Sequence, residues 1–375
     1  MPIKILKDLI AFKTENPPGD EYRVINYVKK LFSKNKIKFK QYSKVKGREN
    51  IIGSIGKGKP TLLIACHADT VPAGEGWKTN PFKAVVKNGR VYGRGACDDK
   101  GPMAAMLKAA LELKKVEDQL KGTFLIGVLA DEEMGSELGL HYLVDKKIIK
   151  PDYAIIPDIS YSMKKIDIAE KGVLRLELIS EGRSAHGSTP KEGVNAITNL
   201  NEVLTSIKDY TLKHKKHRLL SKPTINIGMV EGGTAPNMVP ALARATLDIR
   251  FLPSQNSRGI IKEIKSIIDK KSKKNTSIRI KIKKGLEIRP TELSPNNRLV
   301  KTIQKTTKRV LGFKPATLGL SGATDAKPLI MKGIPAVGYS CGEHNQAHVP
   351  NESIKIKELE QFSRVLVEIV KDILS

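Results

Sequence analysis

Cysteine is scarce, with three residues at positions 66, 97 and 341 of 375. That is too few and too scattered for a disulfide framework or a paired-cysteine metal knuckle. A reducing compartment, the cytoplasm, is the expected setting, with each thiol a small apolar filler. Long apolar runs are also missing: no stretch approaches the roughly 18 uninterrupted apolar residues of a membrane span. The N-terminal segment 1–14 reads as a lysine-bearing amphipathic helix (Ile3, Leu6, Leu9, Ile10) without a small-residue cleavage site, so no membrane partner and no processing are expected. Aromatic residues make up only 5%.

Acidic residues are outnumbered, 39 against 66 Lys and Arg, for a net charge of +27. Such a balance raises nucleic acid as a partner. The pattern argues against it: lysine far outnumbers arginine and is spread through the chain, with modest runs only at 213–218 and 270–274. A lysine-biased solvated surface is the expected reading. With 40% hydrophobic and 28% charged residues the composition is that of a globular protein, and 375 residues exceed what a single core usually organises, so two domains are expected.

Four short, nearly continuous apolar runs, 61–66, 123–130, 153–156 and 335–340, read as buried parallel strands. Helical periodicity lies between them. Segment 102–116 puts Met103, Met106, Leu107, Ala110 and Leu111 on one face, and 138–146 supplies a shorter helix. This is an α/β pattern, with helices on both faces of a sheet. From Val173 the rhythm changes to strand (173–180), helix (194–210), two strands (224–230, 241–251), helix (258–271) and strand (276–283). That βαββαβ order predicts a ferredoxin-like unit. The α/β pattern resumes with a helix over 297–311. The expected organisation is therefore a first domain in two parts, 1–173 and 286–375, with 174–285 inserted.

Ligands of open α/β sheets bind at the carboxyl ends of strands. Here each such end carries metal-ligand chemistry: His67 and Asp69 after the first run, Asp131-Glu132-Glu133 after the second, Asp158 after the third, and a loop with His344 and His348 after the fourth. Asp98-Asp99 follows the glycine-rich turn 92–95. A single carboxylate after a strand is ordinarily a helix cap. Together, imidazole and carboxylate donors suit zinc or a similar divalent ion, and five ligands with one shared carboxylate would hold two ions.

The segments TENPPGD, HADTVPAGEGW (67–77), YGRGACDDKG (92–101), ADEEMGS (130–136), SAHGSTP (184–190), GGTAPNMVP (232–240), SGATDAK (321–327) and AHVPNE (347–352) resemble, in order, the family of co-catalytic zinc hydrolases that includes aminoacylase, acetylornithine deacetylase, succinyl-diaminopimelate desuccinylase and carboxypeptidase G. The resemblance implies a zinc-peptidase-like catalytic domain with a mixed, largely parallel sheet, plus an inserted dimerisation or lid domain. It implies that His67, Asp98 and Asp158 bind one ion and Asp98, Glu133 and His348 the other. The ions would be zinc, with cobalt or manganese able to substitute. Asp69 would orient the His67 imidazole, and a cis peptide would follow Asp98. Glu132 would be the general base, taking a proton from the attacking water and delivering it to the leaving nitrogen.

The same resemblance implies that His186 reaches across a homodimer to stabilise an oxyanion, and that Asn237 and Arg250 contact the substrate's carbonyl or carboxylate. Lys327 stands where many relatives carry arginine, replacing a planar fork by a point charge. The stretch Glu170-Lys171-Gly172 departs from the Arg-Arg-Gly of desuccinylases and speaks against that substrate. His344 is not the expected ligand, since His348 with Glu352 satisfies the His-x3-Glu spacing. His214 and His217 are expected at the surface, His141 on its helix, and Trp77 at the pocket mouth. The implied activity is hydrolysis of the amide of a small N-acyl amino acid. The alternatives are an aminopeptidase or dipeptidase on the same scaffold and, more remotely, a catalytically dead binding protein.

Overall fold

The computed structural model describes residues 1–375. The chain divides into two compact units, one made of residues 1–168, 293–318 and 323–375, the other of 169–292 and 319–322. In the first unit the four apolar runs form the parallel centre of a mixed sheet, in the order Thr123–Leu129, Thr61–His67, Tyr153–Ser160, Ala336–Ser340. Antiparallel strands extend this centre: Glu49–Gly56 and then Lys38–Ser43 on one side, Lys165–Glu170 on the other. The sheet is thus parallel only where both faces are buried, which is also where the sequence reads as uninterrupted apolar residues.

Helices Leu140–Asp145 and Ala326–Met331 cover one face, setting Leu140, Leu143, Ala326 and Leu329 against Leu63, Ala65, Ala154 and Ile156. Neighbouring residues of a strand point to opposite faces, and Cys66 accordingly meets Met106 on the other side, where Lys100–Lys114 packs between Pro2–Ile10 and Ile356–Leu374. That placement corrects the single-face reading of this helix. Ala104, Ala105 and Ala109 are buried along with Met103, Met106, Leu107 and Ala110, while Leu111 is only partly so. A helix apolar on most of its surface belongs inside.

The second unit has the expected order: Gly172–Glu181, helix Ala196–Lys208, Thr224–Gly232, Leu242–Phe251, helix Ser257–Lys274, Arg279–Ile288. Its antiparallel sheet runs Thr224–Gly232, Leu242–Phe251, Gly172–Glu181, Arg279–Ile288. Alternation puts Leu174, Leu176, Leu178, Leu247, Ile249 and Phe251 on the inner face, under Leu200, Val203, Ile207, Ile260, Ile264 and Ile268 of the helices. Both helices begin at an asparagine cap: Asn195 Oδ1 accepts from Ile197 N at 2.9 Å and Asn256 Oδ1 from Gly259 N at 2.9 Å. The two sheet edges differ. Arg279–Ile288 is lined with Arg279, Lys281, Lys283 and Lys284, whereas Thr224–Gly232 has no charge before Glu231 and leaves Met229 and Val230 exposed. No helix is long and apolar enough to cross a membrane.

Candidate metal centre

Parallel strands present their carboxyl ends on one edge, and the candidate ligands of the first unit meet there. His67 closes the strand Thr61–His67. Its Nε2 lies 3.0 Å from Asp98 Oδ1 and 3.9 Å from Asp158 Oδ1. On the other side of the same aspartate, Oδ2 lies 3.0 Å from His348 Nε2, which is 3.3 Å from Glu133 Oε1. Two groups of three donors result, His67–Asp98–Asp158 and Asp98–Glu133–His348, each with its ligand atoms within 4.8 Å of one another. Asp98 turns one oxygen to each group. Asp158, expected beyond its strand, lies within Tyr153–Ser160, which runs two residues further.

Four carboxylates crowd this edge, and their charges demand compensation. Burial pushes Asp158 well up, aided by the charge of Asp98; burial likewise pushes Glu132 well up, aided by Asp158. Burial would raise Asp98 too, but the hydrogen bonds from His348 and His67 hold it below the usual carboxylate range. The imidazoles respond in the opposite sense. His348 is pushed up to about 10 by its bonds to Asp98 and Glu133, and His67 is raised against its own burial by Asp69 and Asp98. Imidazolium protons are one source of positive charge here; divalent cations are a stronger one. The donor set of imidazole nitrogens and carboxylate oxygens, with one carboxylate facing both groups, fits two ions of the zinc, cobalt or manganese type.

The backbone around these donors is held from below. Asp69 contacts both the His67 ring and the turn that carries the glutamates. His67 Nδ1 lies 3.0 Å from the Asp69 carbonyl oxygen and 3.4 Å from Asp69 Oδ1, which fixes the ring. The same carboxylate accepts from Glu132 N at 3.2 Å, Glu133 N at 3.1 Å and Asn16 Nδ2 at 2.8 Å. Asp131 precedes those two glutamates with φ 72°, and its carboxylate accepts from Arg48 Nη2 at 2.9 Å and Leu138 N at 3.1 Å. Arg48 in turn forks onto Glu21 at 2.6 and 2.7 Å. Glu133 is fixed further by Val71 N, 3.2 Å from its Oε1.

The Asp98–Asp99 peptide is cis, and Asp99 Oδ2 accepts from His67 N at 3.2 Å. Helix Lys100–Lys114 starts so close to the preceding turn that a Cβ on Gly101 would lie 2.1 Å from the Ala96 carbonyl oxygen. Buried Glu352 gathers that turn, accepting from Gly95 N at 3.0 Å, Cys97 N at 2.7 Å, Asp98 N at 3.0 Å and Arg94 Nη1 at 2.7 Å. Asn16, Arg48, Arg94 and Glu21 were not assigned roles from the sequence. Asn16 and Arg94 lie inside motif segments, which was the available signal; Arg48 and Glu21 sit in stretches that carry none.

The remaining candidates are distributed as follows. His186 and Asn237 lie in the second unit, on two loops joined by Gly187 N to the Asn237 carbonyl at 2.8 Å and Val239 N to the Ala185 carbonyl at 2.9 Å. The exposed His186 ring has Nδ1 2.7 Å from Ser188 Oγ and 3.2 Å from Ser188 N, which leaves Nε2 without a protein partner in the same loop. Arg250, also in the second unit, pairs with Asp248, Nε to Oδ1 at 2.7 Å, so any carboxylate it receives must compete with that partner. Lys327 is buried in Ala326–Met331. His344 stacks on Tyr161 with ring centroids 4.8 Å apart and belongs to neither donor group. His217 departs from the surface reading: it is partly buried, and its Nδ1 accepts from Leu219 N and Leu220 N at 3.1 and 3.0 Å. Trp77 lies against Arg94, whose guanidinium carbon is 5.2 Å from the ring centroid. All three cysteines are free and buried.

Residues 63–372 match the profile described as peptidase family M20/M25/M40. The chain belongs to that family. This M20/M25/M40 member is similar along 98% of its length, at 32% identity, to an uncharacterised metallohydrolase of Methanocaldococcus jannaschii, 98% of which is covered. It is 29% identical to the acetylornithine deacetylase of Shigella sonnei, over 86% of this chain and 82% of that one. Among solved structures it resembles the aminopeptidase PepT of Bacillus cereus, with TM-score 0.80 and 22% identity over 100% of this chain and 98% of that chain. It also resembles the Bacillus subtilis YXEP protein, a dinuclear metal-binding peptidase, with TM-score 0.76 and 15% identity over 100% of this chain and 97% of that chain. The M20/M25/M40 protein is thus a metallohydrolase with an α/β fold.

Proposed function

We propose that this metallohydrolase cleaves the amide bond of a small N-acyl amino acid with two divalent cations, zinc by preference. His67, Asp98 and Asp158 would hold one, Asp98, Glu133 and His348 the other. The observation that carries the reading is Asp98, with one carboxylate oxygen 3.0 Å from each histidine. When bound, such a pair supplies the positive charge that polarises a carbonyl and makes water a nucleophile at neutral pH. Glu132 belongs to neither donor group, yet its backbone is pinned by Asp69 beside Glu133. Its carboxylate takes the proton of the attacking water and returns it to the leaving nitrogen. Asp69 keeps the His67 ring and the Glu132–Glu133 turn in fixed relation.

His186, whose Nε2 has no partner in its own loop, is suited to donate to an oxyanion, and Asn237 on the adjoining loop to a substrate carbonyl. Both would act from a second copy. The edge Thr224–Gly232, with no charge before Glu231 and with Met229 and Val230 exposed, supports a homodimer joined through the second unit, because a weakly guarded edge strand otherwise invites pairing. Arg250 and Lys327 would serve substrate carboxylate binding. The free buried thiols agree with a cytoplasmic setting.

The net charge of +27 favours N-acyl amino acids over free dipeptides as substrates. The former are anions at neutral pH and the latter zwitterions, so only the former gain in encounter rate from a positive protein. The likeness to PepT supports the aminopeptidase reading instead. A hydrolysis screen over N-acetyl and N-succinyl amino acids and free dipeptides, with metal content measured on the same sample, separates the two. Turnover of acyl substrates that falls with added salt supports the proposal. Turnover of dipeptides alone selects the peptidase, and two bound ions with no turnover of either class refutes both.

A further inference from the structure

The loop that carries His348 is fastened to the loop that carries Trp77. Asn351 Oδ1 accepts from Lys78 N at 2.7 Å, and its Nδ2 donates to the Gly76 carbonyl at 3.1 Å. Pro350 packs on Gly76, where a Cβ would lie 3.4 Å from Pro350 Cγ. Arg94 spans the same two loops, donating from Nη2 to the Pro72 and Ala73 carbonyls at 3.2 and 3.1 Å and from Nη1 to the Val349 carbonyl at 3.4 Å. Trp77 Nε1 closes its own loop onto the Ala73 carbonyl at 2.8 Å.

The two histidines of the centre are therefore held in unequal ways. His67 ends a buried strand, its side chain 2% exposed and its ring fixed by Asp69. His348 is 53% exposed on a loop, and both it and Asn351 have left-handed backbone, φ 62° and 61°. Such backbone is uncommon outside glycine, although histidine and asparagine adopt it more readily than most. Beyond its contacts to Asp98 and Glu133, the His348 loop is held by the clasp just described, three residues on.

We propose that Asn351 is a positioning residue that, by clasping the Trp77 loop, holds His348 in register with Asp98 and Glu133. The affinity of that second ion is thereby set separately from the affinity of the ion at His67 and Asp158. This inference rests on the two-ion reading of the centre. Groups that support a ligand typically tune metal affinity by about 10- to 100-fold.

The test uses full-length protein stripped of metal by chelation, then titrated with zinc by calorimetry and with cobalt by absorption. Emission of Trp77, the one tryptophan of the chain, is recorded alongside. Asn351→Gly tolerates the left-handed backbone and loses only the clasp. It is expected to bind the first ion as the parent does and the second about tenfold more weakly or worse. The Trp77 emission change that accompanies the second ion shifts to the same higher concentration, and the melting temperature of the metal-free protein stays unchanged. Asn351→Asp, which keeps the acceptor for Lys78 N but loses the donor to Gly76, recovers only part of the lost affinity. Unaltered second-ion binding in Asn351→Gly, or equal weakening of both ions, overturns the proposal. Parent protein that takes up fewer than two ions overturns the two-ion reading itself.

Discussion

Replacing Glu132 by glutamine removes a proton acceptor and little else. The amide has the shape of the carboxylate, the backbone N–H of residue 132 keeps its bond to Asp69 Oδ1 at 3.2 Å, and no metal donor is deleted, since Glu132 belongs to neither group. Metal stoichiometry at saturating zinc should therefore stay at that of the parent. The chemical step should not. A positioned general acid–base contributes about 10² to 10⁴-fold, so kcat should fall by that factor, about 3 to 5 kcal/mol on the barrier at roughly 1.4 kcal/mol per decade. KM should move little, because the lost interaction belongs to the transition state. Steady-state kinetics on the best substrate of the screen, with metal analysis of the same preparation, decide the matter. A fully active variant would place the proton transfer elsewhere, and a variant that loses an ion would make Glu132 a ligand instead.

Chelation should abolish turnover, and zinc, cobalt or manganese should restore it. The same treatment should lower the melting temperature, because ions at about 100 times their dissociation constant add roughly 2.7 kcal/mol to the folded state; a melting curve indifferent to chelator contradicts binding at this centre. Arg48→Met leaves Glu21 buried without its cation and should cost about 3 to 5 kcal/mol. Burial already raises the Glu21 pKa, and loss of Arg48 raises it further, so the unfolded chain releases its proton first and the deficit should grow as pH rises above the ordinary carboxylate range in denaturant melts. A deficit independent of pH would mean that the loss is one of packing alone. Val230→Asp places a charge in the apolar part of the edge Thr224–Gly232 and should turn a dimer into a monomer in light scattering, and a parent that is monomeric to begin with removes the dimer proposal.

The sequence displays the doubly buried parallel strands of the first unit and hides its edge strand, because only the former are continuously apolar. Thr61–His67 and Thr123–Leu129 are buried on both faces and so are written in unbroken apolar residues, while Lys38–Ser43 alternates lysines with half-buried positions and reads as loop. The candidate ligands were legible because each lies in a motif segment or, for Asp158, just after an apolar run, with His67 also at a strand end. Their scaffolding was less so. Asp69 stands two residues from His67, which suggested a bond to the ring, but its grip on the Glu132–Glu133 turn bridges more than 60 positions and has no local signature. Arg48 and Glu21 are ordinary surface residue types whose burial depends on Asp131, which follows the strand paired with Glu49–Gly56 and has no sequence proximity to either. Nor does any local feature of 319–322 mark it as clustering with the second unit.

Asp98 stands between His67 and His348, and those histidines are made far apart in time. At about 5 to 20 residues per second, the interval between making residue 67 and residue 348 is roughly 15 to 60 seconds. Throughout it, the nascent protein owns a half-built centre with one imidazole and no counterpart. On the two-ion proposal, the second group of donors cannot form until residue 348 has been made.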